Sequence, residues 1–221
     1  MRRIIGACFV SLDGVMQAPG GPEEDRSGGF ELGGWLAPFF DETVGEQIDK
    51  LFTPPFDLLL GRRTYDIFAA FWPYNAGEPD GIGQLFDRAS KYVLTRSDRP
   101  LDWQNSRRVE SLDALADLKR GEGPDLIIQG SGTLYPQLLG AGLIDRLILM
   151  TFPVVLGSGK RLFGEGTRPA AMRMVEHKVT ERGNVIAAYE PDGPVEPGSF
   201  ATGEPSEAEL ERRRKIDEGT W

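Results

Sequence analysis

The chain has 221 residues, 40% of them hydrophobic, enough for one domain with a sizeable core. Its formal net charge of −9 argues against non-specific nucleic-acid binding and against a membrane-surface role, since both need a basic face. One cysteine, Cys8, and one histidine, His177, leave no material for an internal disulfide or a Cys/His metal cluster. A reducing cytoplasm is therefore the expected compartment. The basic start, Met1 to Gly14, has an apolar run too short for a signal peptide, and no stretch approaches the ~18–20 apolar residues of a membrane span.

In chain order, Ile4 to Leu12 is an apolar run closed by Asp13-Gly14, the pattern of a central strand ending in a turn, with Cys8 as a small core residue. Gly14 to Gly34 is glycine-rich and longer than most connections in compact domains, which marks it as a lid, a binding loop or a surface excursion. A helix is predicted from Phe40 to Phe52, with Asp41 as N-cap, Val44, Ile48, Leu51 and Phe52 facing the core, and Thr53-Pro54-Pro55 as the stop. Asp57 to Gly61 is a second buried strand, and Arg62 onward opens a helix to about Phe71. A Pro/Gly loop is expected over 72–80, followed by a short helix around Ile82, Leu85 and Phe86.

Lys91 to Thr95 is the third strand and Val109 centres a short fourth. Ser111 caps a helix from Leu112 to Arg120, with Asp113 favourably placed in its first turn. Leu126-Ile127-Ile128 is a buried strand that runs into Gln129-Gly130-Ser131-Gly132-Thr133, then a short helix from Leu134 to Leu139 and another strand over Leu147 to Met150. Met172 to Thr180 and Val185 to Glu190 form a hairpin, so an antiparallel end is expected on a mostly parallel sheet. From Pro191 the composition cannot bury a core, and 191–221 is predicted as a flexible polar tail with one or two helical turns near Glu207 to Lys215. The fold expected is thus a single α/β domain over 1–190 plus this tail.

Three strand ends carry anion-friendly chemistry: Gly61-Arg62-Arg63-Thr64, Thr95-Arg96-Ser97, and Gly130-Ser131-Gly132-Thr133 before Leu134. Ligands of open α/β sheets bind outside the carboxyl ends of the strands. Glycines there let backbone N–H groups approach a phosphate, and arginine with hydroxyl neighbours suits a phosphomonoester. Each has a plainer reading, a tight strand–helix connection or a surface ion pair worth ~0–1 kcal/mol. The glycine turn is neither the G-x-G-x-x-G fingerprint, because Tyr135 takes the third glycine's place, nor a P-loop.

Taken together, S-L-D-G (Ser11 to Gly14), L-G-R-R-T-Y (Leu60 to Tyr65), V-L-T-R-S (Val93 to Ser97), G-S-G-T-L-Y (Gly130 to Tyr135) and P-V-V-L-G-S-G-K-R-L-F (Pro153 to Phe163) resemble the dihydrofolate reductase-like superfamily, in the branch of the riboflavin-biosynthesis reductase domain. The resemblance implies NADPH as hydride donor to a small-molecule substrate. It would put Arg62, Arg63 and Thr64 at the pyrophosphate and adenosine side, Thr95, Arg96 and Ser97 at the 2′-phosphate, and Gly130, Ser131, Gly132, Thr133 and Leu134 around the pyrophosphate. It also implies a loop after Asp13 that closes over nicotinamide and substrate, a pocket floor around Ala7, and a homodimer through the C-terminal strands.

Asp13 is the expected proton donor, with an Asp-Gly turn as its plainer role. Asp41, Glu42 and Glu46 do not reproduce the acidic motif by which dihydrofolate reductases grip a pterin. The zinc-deaminase signature of bifunctional riboflavin enzymes is missing as well. Lys160 and Arg161 suit a substrate phosphate or solvent, and Trp35, Phe39 and Trp72 suit a flat ring or the core. The leading expectation is reduction of a pterin- or pyrimidine-like heterocycle. The alternatives are reduction of a ribosylaminopyrimidine phosphate and a non-catalytic nucleotide-binding module.

Overall fold

The computed structural model describes residues 1–221 apart from 76, 78–80 and 165. Eight strands form one sheet: β1 (Ile4–Ser11), β2 (Phe56–Gly61), β3 (Lys91–Leu94), β4 (Ser106–Val109), β5 (Asp125–Gln129), β6 (Arg146–Phe152), β7 (Met172–Val179) and β8 (Val185–Pro191). Their order is β4-β3-β2-β5-β1-β6-β8-β7. The first six are mutually parallel, while β8 runs antiparallel to both β6 and β7.

Apolar alternation sorts the strands' side chains onto two faces. On one face Ile5, Ala7, Leu58, Leu60, Ile127 and Ile148 join Val44 and Phe52 of the α1 region, Tyr65 of α2 and Phe86 of α3. On the other, Ile4, Cys8, Leu126, Ile128 and Leu147 join Leu115 of α4 and Leu134 and Leu138 of α5. The helices are α1 (Glu42–Leu51), α2 (Arg62–Phe71), α3 (Ile82–Arg88), α4 (Leu112–Arg120) and α5 (Leu134–Gly140). Asp41 and Ser111 cap α1 and α4 by accepting from Val44 N and Ala114 N, as their side chains foretell. The loop expected at 72–80 begins with a 3-10 turn, Trp72–Tyr74; its residues 76 and 78–80 lie outside those described.

Tyr135 explains the glycine in the middle of β1. Its fully buried ring lies where a Cβ on Gly6 would come within 2.5 Å, and its hydroxyl is within hydrogen-bond reach of the Ala7 and Ile128 carbonyls at 3.1 and 3.2 Å. The tail is more helical than expected. α6 (Glu207–Asp217) makes about three turns with no buried residue, capped by Ser206. Intrahelical pairs such as Glu209–Arg213 at 2.9 Å and Glu211–Arg214 at 2.8 Å support it where packing does not.

Candidate functional site

Because β1, β2, β3, β5 and β6 are parallel, Ser11, Gly61, Leu94, Gln129 and Phe152 finish on one rim. Two of the predicted junctions interlock there. The Gly61 N–H donates to Ser131 Oγ at 2.8 Å, and a Cβ on Gly130 would lie 3.5 Å from the Thr64 methyl. The third junction, Thr95 to Ser97, follows β3, which pairs directly with β2. β5 and β1 are neighbours whose outgoing chains leave toward opposite faces. After β5 comes α5 on one face, and after β1 come the long loop and α1 on the other. In open α/β sheets ligands bind at such switch points.

The predicted residues divide by what already occupies them. Arg62 donates to Asp66 at 2.8 Å and to the carbonyls of Arg99 and Pro100 at 2.9 and 3.1 Å, so it fastens the β3–β4 connection to α2. Ser131, at φ 64°, holds the Gly61 amide and has its carbonyl taken by the Leu134 N–H; Leu134 itself is buried in the core. Gly130 at φ 74° precedes it, so two successive left-handed residues shape the turn. Arg63 is largely exposed, its nearest carboxylate being Asp25 at 3.9 Å. Arg96 is exposed and has no hydrogen bond or ion pair among the described residues. It is flanked by Thr95, whose hydroxyl accepts from Ser97 N at 3.0 Å, and by Ser97, whose hydroxyl accepts from Arg99 N at 3.3 Å. Thr133 is exposed at the start of α5.

The long loop closes onto the segment 153–163. Val15 pairs with Arg161, Met16 N donates to the Lys160 carbonyl at 2.9 Å, and Leu162 N donates to the Gly14 carbonyl at 2.9 Å. Gln17, which sequence reasoning passed over, is buried at the centre of this closure. Its amide donates to the carbonyls of Asp25 and Ser27 at 3.0 and 2.8 Å, and its oxygen accepts from Lys160 N at 3.0 Å. The only signal was a lone amide in an apolar stretch, which is silent about Lys160, 143 residues away. The loop also covers the glycine turn: a Cβ on Gly132 would come within 2.9 Å of the Met16 sulfur.

Asp13 belongs to the same clamp. Its carboxylate accepts from Ser11 Oγ at 2.7 Å, Leu156 N at 3.0 Å and Gly157 N at 2.9 Å, with Arg161 at 3.4 Å. The Ser11 hydroxyl and then the Leu156 and Gly157 amides hold its pKa down at about 2. Such a group is ionised at neutral pH, and in this structure its carboxylate clasps the 153–163 segment.

Lys160 is likewise engaged, donating to Asp25 and to Ser27 Oγ at 2.5 and 2.6 Å. Trp35 is buried against Phe152 and donates to the Gln17 carbonyl at 2.8 Å, and Trp72 packs on Phe86. Phe39 is half-buried against the same core. Asp41 caps α1 and accepts from Asn184 at 2.9 Å, and Glu46 pairs with Lys178. Burial pushes the Cys8 thiol up to about 12, consistent with a core residue. A second residue missed from sequence is Gln129 at the end of β5, whose side-chain oxygen is buried without a hydrogen-bond partner.

Two clefts open elsewhere. One of about 330 Å³ lies by the strands' amino ends, beside Arg3, Lys50, Arg146 and Glu176. The other, about 540 Å³, lies outside α2 between Tyr74 and Trp103. Neither is lined by the glycine turn, which the long loop covers.

The RibD C-terminal domain family matches residues 2–187. The chain belongs to that family. The uncharacterised Bacillus subtilis proteins YyaP and YwjB are 27% and 29% identical to this RibD-type domain, covering 87% and 78% of it and 96% and 89% of themselves. Among solved structures, a putative riboflavin biosynthesis protein from Shewanella sp. PV-4 superposes with a TM-score of 0.63 at 23% identity, covering 86% of this chain and 99% of its own. A dihydrofolate reductase from Enterococcus faecalis, solved with NADP(H), gives 0.53 at 16% identity over 86% and 96%. A pyrimidine reductase-like protein from Corynebacterium diphtheriae gives 0.54 at 14% identity over 86% and 92%. The RibD-type domain thus has the dihydrofolate reductase-like fold, as its motifs led one to expect. Among its described residues no helix is long and apolar enough to cross a membrane.

Proposed function

We propose that this RibD-type domain is an NADPH-dependent reductase acting on a small pterin- or pyrimidine-like heterocycle. The observation that carries the reading is Arg96: a guanidinium unpaired among the described residues, between two hydroxyl side chains, on the rim where the glycine turn also lies, in a chain of net charge −9. The residues present suit the cofactor's two phosphate regions. Arg96, Thr95 and Ser97 offer charged and neutral donors to a 2′-phosphate. Arg63, Thr64 and the amides of 130–133 offer donors to a pyrophosphate.

When bound, the nicotinamide would supply the hydride. The chain's own part is placement and exclusion of water. Gln17 ties the 14–34 loop shut, Ala7 lies on the strand flooring the crevice, and Asp13 holds the 153–163 segment against the end of β1. With Asp13 ionised, the proton that accompanies the hydride would come from water admitted with the substrate. Asp13 is then a positioning residue. Lys160 and Arg161 are committed to Asp25 and Asp13, which weighs against a ribosyl phosphate as substrate.

The test is a melting series with NADPH and NADH, followed by the absorbance of reduced nicotinamide across a heterocycle panel. A bound ligand raises stability as RT ln(1 + [L]/Kd), so NADPH should protect far more than NADH. Equal protection, or none, sinks the reading. The ionised Asp13 also favours a second reading, a nucleotide-binding module without catalysis, for which NADPH would bind and never be oxidised. A homodimer through the C-terminal strands belongs to the proposal too, since β7 is an edge strand with Met174 and Val179 exposed. A monomer in sedimentation would remove it.

A further inference from the structure

A buried hydrogen-bonding atom without a partner is costly, so a native protein that keeps one at a strand end calls for an explanation. Among the described residues four side-chain atoms are of this kind: Ser106 Oγ, Arg146 Nε, Asn184 Oδ1 and Gln129 Oε1. The first lies at the amino end of β4 and the second at that of β6. The third belongs to a side chain already held by Phe39 and Asp41. Asn184, next to Val185 opposite Thr151, also lies near the carboxyl rim, but of these two only Gln129 has no side-chain hydrogen bond among the described residues.

Its place there is specific. Gln129 pairs with Ala7 across β5 and β1, the two strands on either side of the switch point. It lies two residues beyond Ile127, hence on the sheet face that carries Ala7, Leu60 and Ile148 and is covered by α1 and the 14–34 loop. That stretch of face is otherwise apolar, with Ala7, Leu60 and Val15 fully buried. The next residues, Gly130 and Ser131, turn into the proposed phosphate cradle, so the carboxamide sits where the cradle meets the apolar floor.

We infer that Gln129 is a specificity-determining residue whose buried side-chain oxygen accepts an N–H from the bound ligand, an amide or ring-attached amino group. The inference rests on the reductase reading above and adds the chemistry of what is recognised. Apolar walls alone discriminate weakly between a ligand with such a donor and an isostere without it. A site built around a buried acceptor discriminates strongly, because the isostere leaves that acceptor unanswered. Two sources of the donor fit, the carboxamide of the nicotinamide and an amino group of the heterocycle.

Gln129→Leu removes the acceptor while keeping similar volume, and it should melt no lower than wild type because an unanswered polar atom is replaced by an apolar one. The experiment titrates the full chain, wild type and Gln129→Leu, in two arms. In the first, NADPH is compared with its reduced 3-acetylpyridine analogue, in which a methyl ketone replaces the amide. In the second, with NADP+ bound, 2,4-diaminopyrimidine is compared with 2,4-dimethylpyrimidine.

In one arm wild type should prefer the N–H-bearing ligand by about tenfold, and the preference should shrink to about twofold or less in Gln129→Leu. That arm names the source of the donor. Preferences that the substitution leaves unchanged in both arms, with NADPH still binding, overturn the inference and leave the reductase reading standing. Wild-type protein that does not bind NADPH at all overturns both.

Discussion

The two ends of the parallel sheet use charge in opposite ways. At the amino ends, Arg2 is buried against Asp57, with its Nε donating to the Pro124 carbonyl at 2.6 Å and its guanidinium over the Tyr92 ring at 5.0 Å. Arg3 pairs with Asp125 at 2.6 Å, and Lys119 with Asp145 at 2.7 Å while also donating to the Leu143 carbonyl. These groups answer one another and fix the strand starts. At the carboxyl ends, among the described residues, Arg96 is unpaired and Arg63 barely paired, the glycine turn is left-handed, and Gln129 keeps a bare acceptor. Two buried atoms at the amino ends, Ser106 Oγ and Arg146 Nε, also lack partners, so the contrast lies in the charged side chains: those named at the amino ends are paired, whereas Arg96 at the carboxyl ends is not.

The sharpest way to break that contrast is at Arg2. Arg2→Leu leaves Asp57 buried without its cation and should lower stability by about 3–5 kcal/mol, read by chemical denaturation. NADPH affinity of the folded fraction should not change; a loss of less than about 1 kcal/mol would mean the pair is not confined as described. The mirror experiment is Arg96→Ala. It should leave the melting temperature within the usual scatter of a surface change and weaken NADPH by about 1.5–3 kcal/mol, with NADH barely affected. Equal losses for both nucleotides would take Arg96 away from the 2′-phosphate.

Ser131→Ala tests whether the carboxyl rim has a structural share of its own. It strands the Gly61 amide and should cost about 1–3 kcal/mol of stability, with unchanged denaturant midpoints counting against the bond.

The smallest effects are in pH, and they have a different origin at each end. Lys91, at the start of β3, is fully buried; loss of solvent lowers its pKa from 10.5 to about 8, against the opposing pull of Asp87. Between those values the unfolded chain binds more protons than the folded one, so this residue's share of stability grows as pH rises through the window. In Lys91→Met that alkaline gain should vanish. Asp13, at the other end, is lowered from 3.8 to about 2 by Ser11 and the loop amides. Its stabilisation is complete above 3.8 and is lost as pH falls toward 2, a slope that Asp13→Asn should flatten in an acid melting series.

Strand identity, helix caps and the parallel-then-antiparallel order were legible in the sequence, because apolar runs, Asp41, Ser111 and the turn at Gly183-Asn184 each act on residues a few positions away. The membership of three junctions in one rim was legible too, since a parallel sheet must gather its strand ends. What each side chain does there was not. Arg62 and Arg96 look alike in sequence, yet one is used up by the carbonyls of Arg99 and Pro100 and the other is free.

Asp13 shows the reason most plainly. The Asp13 carboxylate at its strand end is held by Leu156 and Gly157, more than 140 residues further along the chain. Gln17 and Gly6 gave no local signal for the same cause: their meaning lies in Lys160 and in the ring of Tyr135. Local sequence determines which backbone shape each segment adopts. Which polar groups remain unanswered is settled only when distant segments compete for the same hydrogen bonds.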